Sequence, residues 1–69
     1  GAHVGDYIME AIVNHAKKAN MKAVRLDVYE KNTPAIKLYE KHGFAYIGTV
    51  DLGYAEYGLP WFRLYQLLL

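Results

Sequence analysis

The sequence predicts an α+β domain in which two helices pack on a mixed three-stranded sheet, in the order helix, strand, helix, strand, strand. Two observations predict this class. Apolar residues recur at helical spacing in two segments, and they alternate with polar residues in the segment between them. The chain has 69 residues, of which 54% are apolar and none is cysteine, so it suits one small domain without disulfides.

The first helix is expected over residues 6–20, where the apolar residues form one stripe. Asp6 falls in the predicted first turn, where its negative charge suits the helix dipole, and Asn20 suits the stop. The stripe consists of Ile8, Met9, Ile12, Val13, Ala16 and Ala19.

Strict alternation over residues 23–29 predicts the first strand, with Val24, Leu26 and Val28 on one face and Arg25, Asp27 and Tyr29 on the other. A second helix follows, for which Thr33 can act as the cap, Pro34 fits the first position and Gly43 fits the stop.

Two further strands are expected over residues 44–52 and 61–69, separated by a loop over residues 53–60. This loop favours an antiparallel pair of strands. The crossover through the second helix leaves open the relative direction of the strands that begin at Ala23 and Phe44.

Charge and composition exclude several classes of function. The net charge of +1 gives no electrostatic footprint for nucleic acid or an anionic membrane, so neither is expected as a partner. No apolar run reaches the roughly 20 residues of a membrane span, and no signal segment stands at the start, so a cytoplasmic protein is predicted. The three histidines lack the spacing of metal ligands, so no metal is expected.

Asn32 and Tyr39 are the residues best placed for chemistry. Asn32 stands between the end of a predicted strand and the start of a helix, a position where ligands often bind, and Tyr39 precedes the helix stop by one turn. The alternative interpretation is that Asn32 is only a turn residue and Tyr39 only packs in the core.

The segment from Val28 to Phe44 has the pattern V-x-x-x-N-x-x-A-I-x-L-Y-x-K-x-G-F without a gap. This pattern resembles the Gcn-five-related N-acetyltransferase (GNAT) family. The resemblance implies a truncated GNAT-like fold, with residues 1–69 forming the C-terminal half of the family's domain and the upstream half absent.

The resemblance also implies acetyl-CoA as co-substrate and an amine of a small molecule or peptide as acceptor. In this family a loop of pattern R/Q-x-x-G-x-G/A holds the pyrophosphate at a helix N-terminus. The corresponding segment here is residues 1–5, so Val4 and Gly5 are expected to bind the cofactor, while His3 stands where the family has a glycine. Asp6 follows directly and is expected to repel the phosphate.

Further along, the resemblance implies that Asn32 contacts the pantetheine arm or the substrate side, that Ala35 leaves room for this arm, and that Tyr39 acts as the general acid. A phenol with an ordinary pKa of about 10 is protonated at neutral pH and can donate to a departing thiolate. Four titratable residues are candidates for the base, and the spacing selects none of them: Glu30, His42, Asp51 and Glu56.

A chain without the upstream strands leaves the strand over residues 23–29 with an unpaired edge, and such an edge recruits another strand. We therefore expect a homodimer or a swapped assembly through this edge. The alternative function is a non-catalytic GNAT-like interaction or dimerisation module, in which the pattern serves packing alone.

Overall fold

The computed structural model describes residues 2–69, residues 2 and 3 by their backbone alone. Gly1, which belongs to the expected phosphate-binding segment, lies outside the described residues. Within this range the predicted order of two helices and three strands is confirmed, with a short 3-10 helix added in the last loop. The elements are α1 (Ala2–Lys18), β1 (Ala23–Tyr29), α2 (Thr33–Lys41), β2 (Ala45–Val50), the 3-10 helix (Ala55–Tyr57) and β3 (Phe62–Leu68).

The sheet over residues 23–68 is antiparallel throughout, which corrects the expectation of a mixed sheet. Its strand order is β1-β3-β2, and β3 pairs antiparallel with both neighbours. The crossover through α2 makes β1 and β2 run in the same direction, but β3 lies between them, so no parallel pair forms. Tyr65 of β3 stands opposite Leu26 on one side and Tyr46 on the other, and a register shift follows Tyr46 in β2.

Helix α1 begins at Ala2, before the predicted start at Asp6. Gly5 and Met9 are spaced at i and i+4 and share the inward face, so the stripe that buries Met9 continues back to Gly5. The helix ends at Lys18, and Asn20 takes a left-handed φ of 58°, which confirms its predicted place at the stop.

Helix α2 is capped by Asn32, where Thr33 was expected. The Asn32 side chain accepts a hydrogen bond from the Ala35 N–H, while Thr33 is already helical and Pro34 lies in the first turn. At the other end Gly43 has a φ of 86°, and the N–H groups of Gly43 and Phe44 donate to the carbonyls of Glu40 and Tyr39. This is the Schellman arrangement, which satisfies the last carbonyls of the helix.

Both helices pack on one face of the sheet and share a single core. The buried residues come from both helices, from β1 and β3, and from the connection before β2: Met9, Ala16, Val24, Val28, Ile36, Phe44 and Tyr65. The even-numbered residues of β1 therefore face the helices, and Arg25 and Asp27 face the opposite side, where no α-helix of the described residues packs.

Candidate active site

Tyr39 lies on the inner face of α2 and its ring is fixed by two aromatic neighbours. The ring centroid is 5.9 Å from that of Tyr65, in an edge-to-face arrangement, and 6.1 Å from that of Phe44. Between residues 4 and 69 the hydroxyl takes part in none of the hydrogen bonds between protein side chains. The ring is thus held by packing while the hydroxyl stays free for a ligand.

The hydroxyl of Tyr39 is kept protonated by its surroundings. Partial burial raises the pKa of this phenol above its ordinary value of 10.0, and the negative charge of Asp27 raises it further. Both effects disfavour the phenolate. At neutral pH the group is therefore a proton donor.

Tyr39 opens into a groove of about 430 Å³ that wraps around the edge of β1. The other lining residues are Arg25, Leu26, Asp27 and Leu64. Leu26 contributes from the helix face of the sheet, whereas Arg25 and Asp27 contribute from the opposite face. Among the described residues β1 pairs with β3 alone, so the groove lies along an unpaired strand edge.

Arg25 and Asp27 were not predicted as residues of this groove. The alternation placed both on the face opposite Leu26, and the edge position expected for this strand is confirmed among the described residues. No signal in the sequence indicated that Tyr39 comes near this edge. The proximity arises only when α2 folds back over the sheet.

Asn32 and Ala35 lie in different surroundings from each other. Ala35 precedes Tyr39 by one helical turn on the same face and packs against the core. Asn32 is exposed at the helix start, where its Oδ1 accepts from the Ala35 N–H at 3.4 Å, and it does not line the Tyr39 groove. From Asn32 to Tyr39 the helix rises by about 10 Å.

Val4 and Gly5 were expected in a loop and lie instead in the first turns of α1. From the fourth helical residue onward each N–H donates to the carbonyl four residues earlier, so in a helix that begins at Ala2 the Val4 amide has no partner inside the helix, whereas the Gly5 amide is used by the helix itself. Val4 is 58% exposed. A Cβ placed on Gly5 would stand 3.0 Å from a methyl carbon of Leu38, so this glycine also permits the close approach of α1 and α2. The expectation about the His3 side chain lies outside what the structure describes.

Asp6 does not stand as a free negative charge at the start of α1. Its carboxylate pairs with the end of α2, through Oδ2 to Lys41 Nζ at 2.9 Å and through Oδ1 to His42 Nε2 at 2.7 Å. The hydrogen bonds from Lys41 and then His42 hold the pKa of Asp6 below its ordinary value of 3.8. The expected repulsion of a phosphate by Asp6 is therefore offset by the ammonium group of Lys41.

The four candidates for the base lie outside the Tyr39 groove. His42 is engaged with Asp6, and the Asp51 side chain accepts the N–H of Gly53 at 2.8 Å. Glu30 follows β1, and Glu56 is exposed in the 3-10 helix. Asp27 is the carboxylate that lines the groove with Tyr39.

Between residues 4 and 69 no group of three or more His, Asp or Glu side chains is arranged to hold a metal ion. None of the helices described is both long enough and apolar enough to cross a membrane.

Comparisons with known proteins point to one family. Residues 1–44 match the model of the "Acetyltransferase (GNAT) family". A curated relative, "Putative phosphinothricin acetyltransferase YwnH" of Bacillus subtilis (strain 168), is 33% identical over 45 residues, which are 65% of this chain and 28% of the relative.

Two solved structures share the fold. A "putative acetyltransferase" from Acinetobacter baylyi ADP1 matches all of this chain with a TM-score of 0.88 at 23% identity, and 40% of that chain is covered. A "putative phosphinothricin N-acetyltransferase" matches 97% of this chain with a TM-score of 0.80 at 24% identity, and 43% of that chain is covered. The chain thus spans less than half of each of these proteins.

Proposed function

The chain belongs to the GNAT family of acetyltransferases, and we propose that it forms the part of such an enzyme that carries the general acid and one wall of the acetyl-CoA site. Residues 1–69 would be the C-terminal half of the domain. The observation that carries this proposal is the Tyr39 hydroxyl, which has no hydrogen-bond partner between residues 4 and 69 and lines a groove at the edge of β1.

The reaction would transfer the acetyl group of acetyl-CoA to an amine. The neutral amine attacks the thioester carbonyl, a C–N bond forms, and the C–S bond breaks. The departing sulfur takes the Tyr39 proton, and the amine loses its extra proton to a base or to water. Tyr39 suits the first of these proton transfers because a phenol carries its proton at neutral pH, and burial and the charge of Asp27 move its pKa further above this range.

The cofactor would lie along the edge of β1, with its thioester near Tyr39. Val4 and Gly5 would lie at the pyrophosphate, with the free amide of Val4 facing it, since a helix N-terminus favours an anion. Ala35, one turn before Tyr39, would leave room for the pantetheine arm, and the side-chain N–H₂ of Asn32 would donate to it. These assignments follow the family resemblance and agree with the exposure of Val4 and Asn32.

The acceptor would be a small molecule or a peptide with a primary amine. A homodimer or strand-swapped assembly through β1 is proposed for the same chain, because that edge is unpaired among the described residues. A cytoplasmic location stays a prediction of the sequence. The alternative, a non-catalytic interaction module, is not favoured by the matches to acetyltransferases.

Tyr39→Phe in the 69-residue chain tests the proposal. The variant keeps the ring contacts with Phe44 and Tyr65 and removes only the proton, so we expect transfer to an amine panel to slow by about 10²–10⁴-fold. Binding of acetyl-CoA should be unchanged, measured as thermal stabilisation of about 0.4 kcal/mol or more at a ligand concentration equal to Kd.

Tyr57→Phe is the matched control, because Tyr57 is 72% exposed in the 3-10 helix and does not line the groove. Equal transfer rates for Tyr39→Phe and the parent chain would show that Tyr39 is not the general acid. If millimolar acetyl-CoA does not stabilise the chain, the proposal that these residues hold a cofactor site is wrong.

A further inference from the structure

The carboxylate of Asp6 makes the polar contact that ties helix α1 to helix α2. Of the hydrogen bonds that involve side chains between residues 4 and 69, two belong to a residue of α1, and both are made by Asp6. Their donors are Lys41, the last residue of α2, and His42, which caps the end of this helix. The side chains of Asp6 and His42 are 21% and 17% exposed, so the contact is partly shielded from water.

The same two helices also touch through apolar groups beside this contact. A Cβ on Gly5 would stand 3.0 Å from a methyl carbon of Leu38, so the helices lie close together here. Leu38 and Lys41 are one turn apart on α2, and Gly5 directly precedes the carboxylate on α1. Apolar packing is not directional, whereas hydrogen bonds fix both a distance and a direction. The two bonds of Asp6 therefore limit how far α1 can slide along α2.

This contact lies next to both residues to which the proposed function assigns an end of acetyl-CoA. On α1, Val4 precedes Asp6 by two residues, and its free amide is assigned to the pyrophosphate. On α2, Tyr39 precedes Lys41 by two residues, and its hydroxyl is assigned to the thioester. The pantetheine arm joins the pyrophosphate to the thioester. A ligand that uses two sites through such a linker binds best when the separation of the sites matches the length of the linker.

We propose that Asp6 is a positioning residue, whose ion pairs with Lys41 and His42 hold the start of α1 and Tyr39 at the separation that acetyl-CoA requires. The inference rests on the proposed function and adds to it a residue that acts through the two helices, without taking part in acetyl transfer. Two simpler roles for this carboxylate predict other results. Repulsion of phosphate alone would weaken the binding of every ligand with a pyrophosphate, and stabilisation of the fold alone would favour the binding of every ligand.

A ratio of two dissociation constants separates these roles. It is the Kd of acetyl-CoA divided by the Kd of ADP, which carries the pyrophosphate without the pantetheine arm, both measured by calorimetric titration of the full 69-residue chain. Asp6→Asn keeps the shape of the side chain and removes its charge, and we expect the ratio to rise at least about tenfold, because two linked sites gain about 10²–10⁴-fold in affinity when they are held at a matching separation. A change in charge or in stability alone shifts both constants together and leaves the ratio as it is.

Two further comparisons separate the ion pairs from the charge of the helix. Glu10→Gln makes the same chemical change one turn later on α1, at an exposed carboxylate that forms no ion pair between residues 4 and 69, and should keep the ratio of the parent chain. His42→Leu removes the shorter of the two bonds to Asp6, at 2.7 Å, and should raise the ratio while the carboxylate stays in place. His42→Gln retains an N–H donor for the same oxygen, so its ratio should remain near that of the parent chain.

Each contrary result overturns the inference. A ratio that stays constant in Asp6→Asn does so, and so does an equal rise in Glu10→Gln. Circular dichroism verifies the fold of each variant, and if Asp6→Asn does not fold, equal ratios for His42→Leu and His42→Gln overturn the inference instead. A parent chain that binds no acetyl-CoA overturns the proposed function and this inference with it, whereas a parent chain that binds acetyl-CoA and shows a constant ratio overturns this inference alone.

Discussion

Replacing Tyr65 by leucine should destabilise the protein more than the same replacement at any exposed tyrosine. Tyr65 is 0% exposed and lies at the centre of the sheet, opposite Leu26 and Tyr46. Its ring stands edge-to-face with Tyr39 at 5.9 Å and with Tyr46 at 6.0 Å. Leucine removes both ring pairs and leaves a void where the ring was.

The magnitude follows from these two losses. Each aromatic pair contributes about 0.5–1.5 kcal/mol beyond its buried area, so two pairs contribute about 1–3 kcal/mol. The void adds to this, and the complete loss of a buried Phe or Trp ring costs about 3–5 kcal/mol, so we expect about 2–4 kcal/mol for Tyr65→Leu. For a domain of this size that lowers Tm by roughly 10–25 °C. The total stability is on the order of 3–10 kcal/mol, so the variant would lose a large share of it.

Urea unfolding followed by circular dichroism measures the change, with two controls. Tyr57→Leu makes the same chemical change at a side chain that is 72% exposed, and should alter the free energy of unfolding by no more than about 0.5 kcal/mol. Tyr65→Phe keeps both ring pairs and loses only the hydroxyl that accepts from Arg63 Nη1 at 3.5 Å, for a loss of about 1 kcal/mol or less. Equal effects of leucine at positions 57 and 65 would refute the assignment of Tyr65 as the centre of the core.

Two further predictions concern the ends of the helices. The pKa of Asp6 is lowered in the fold, so its ion pairs stabilise the protein fully above pH 3.8, and this stabilisation is lost as the pH falls through the lowered pKa. The difference in Tm between the parent chain and Asp6→Asn should therefore be present at pH 6 and vanish in acid. A constant difference across this range would exclude the ion pairs as its cause. Asn32→Ala should lower the free energy of unfolding by about 1 kcal/mol, whereas Asn32→Ser should keep it, since serine also caps. An acetyl-CoA affinity lowered equally by both variants would mean that the Asn32 amide acts on the cofactor, and an affinity lowered only by Asn32→Ala would mean that it acts through the cap.

Local signals in the sequence predicted the elements well because their causes are local. The alternation over residues 23–29 produces β1, and Pro34 and Gly43 bracket α2 as expected. The cap was placed one residue late because Thr33 and Asn32 are both good caps, and only the backbone path shows that Asn32 reaches the Ala35 N–H. The start of α1 was placed late because glycine disfavours helices in isolation. Here Gly5 is helical, and a side chain at that position would crowd Leu38 of the neighbouring helix.

Features that depend on contacts between distant parts of the chain were harder to predict from the sequence. The insertion of β3 between β1 and β2 depends on how the whole sheet assembles, so the strand pattern alone could not exclude a mixed sheet. The edge position of β1 was expected, but the groove that joins Tyr39 to Arg25 and Asp27 also depends on the return of α2 over the sheet, which no local pattern indicates. Tyr39 itself was predicted as a site residue, and its role in acid catalysis stays a prediction.

The segment from Val28 to Phe44 carries two kinds of information, and the structure separates them. Most of its patterned residues have a sufficient reason in folding. Val28, Ile36 and Phe44 are buried in the core. Asn32 caps α2 at its start, and Gly43 takes the left-handed conformation at its end. On the side of α1, Leu38 lies against Gly5, and Lys41 forms an ion pair with Asp6.

Folding explains the ring of Tyr39 but not its hydroxyl. Its ring packs against Phe44 and Tyr65, and a phenylalanine would pack equally well, but its hydroxyl has no side-chain partner between residues 4 and 69. A polar group at the mouth of a groove, with its proton retained by burial and by Asp27, is the part of the motif that packing does not require. Chemistry at this one oxygen therefore distinguishes an acetyltransferase fragment from a domain that merely keeps the fold.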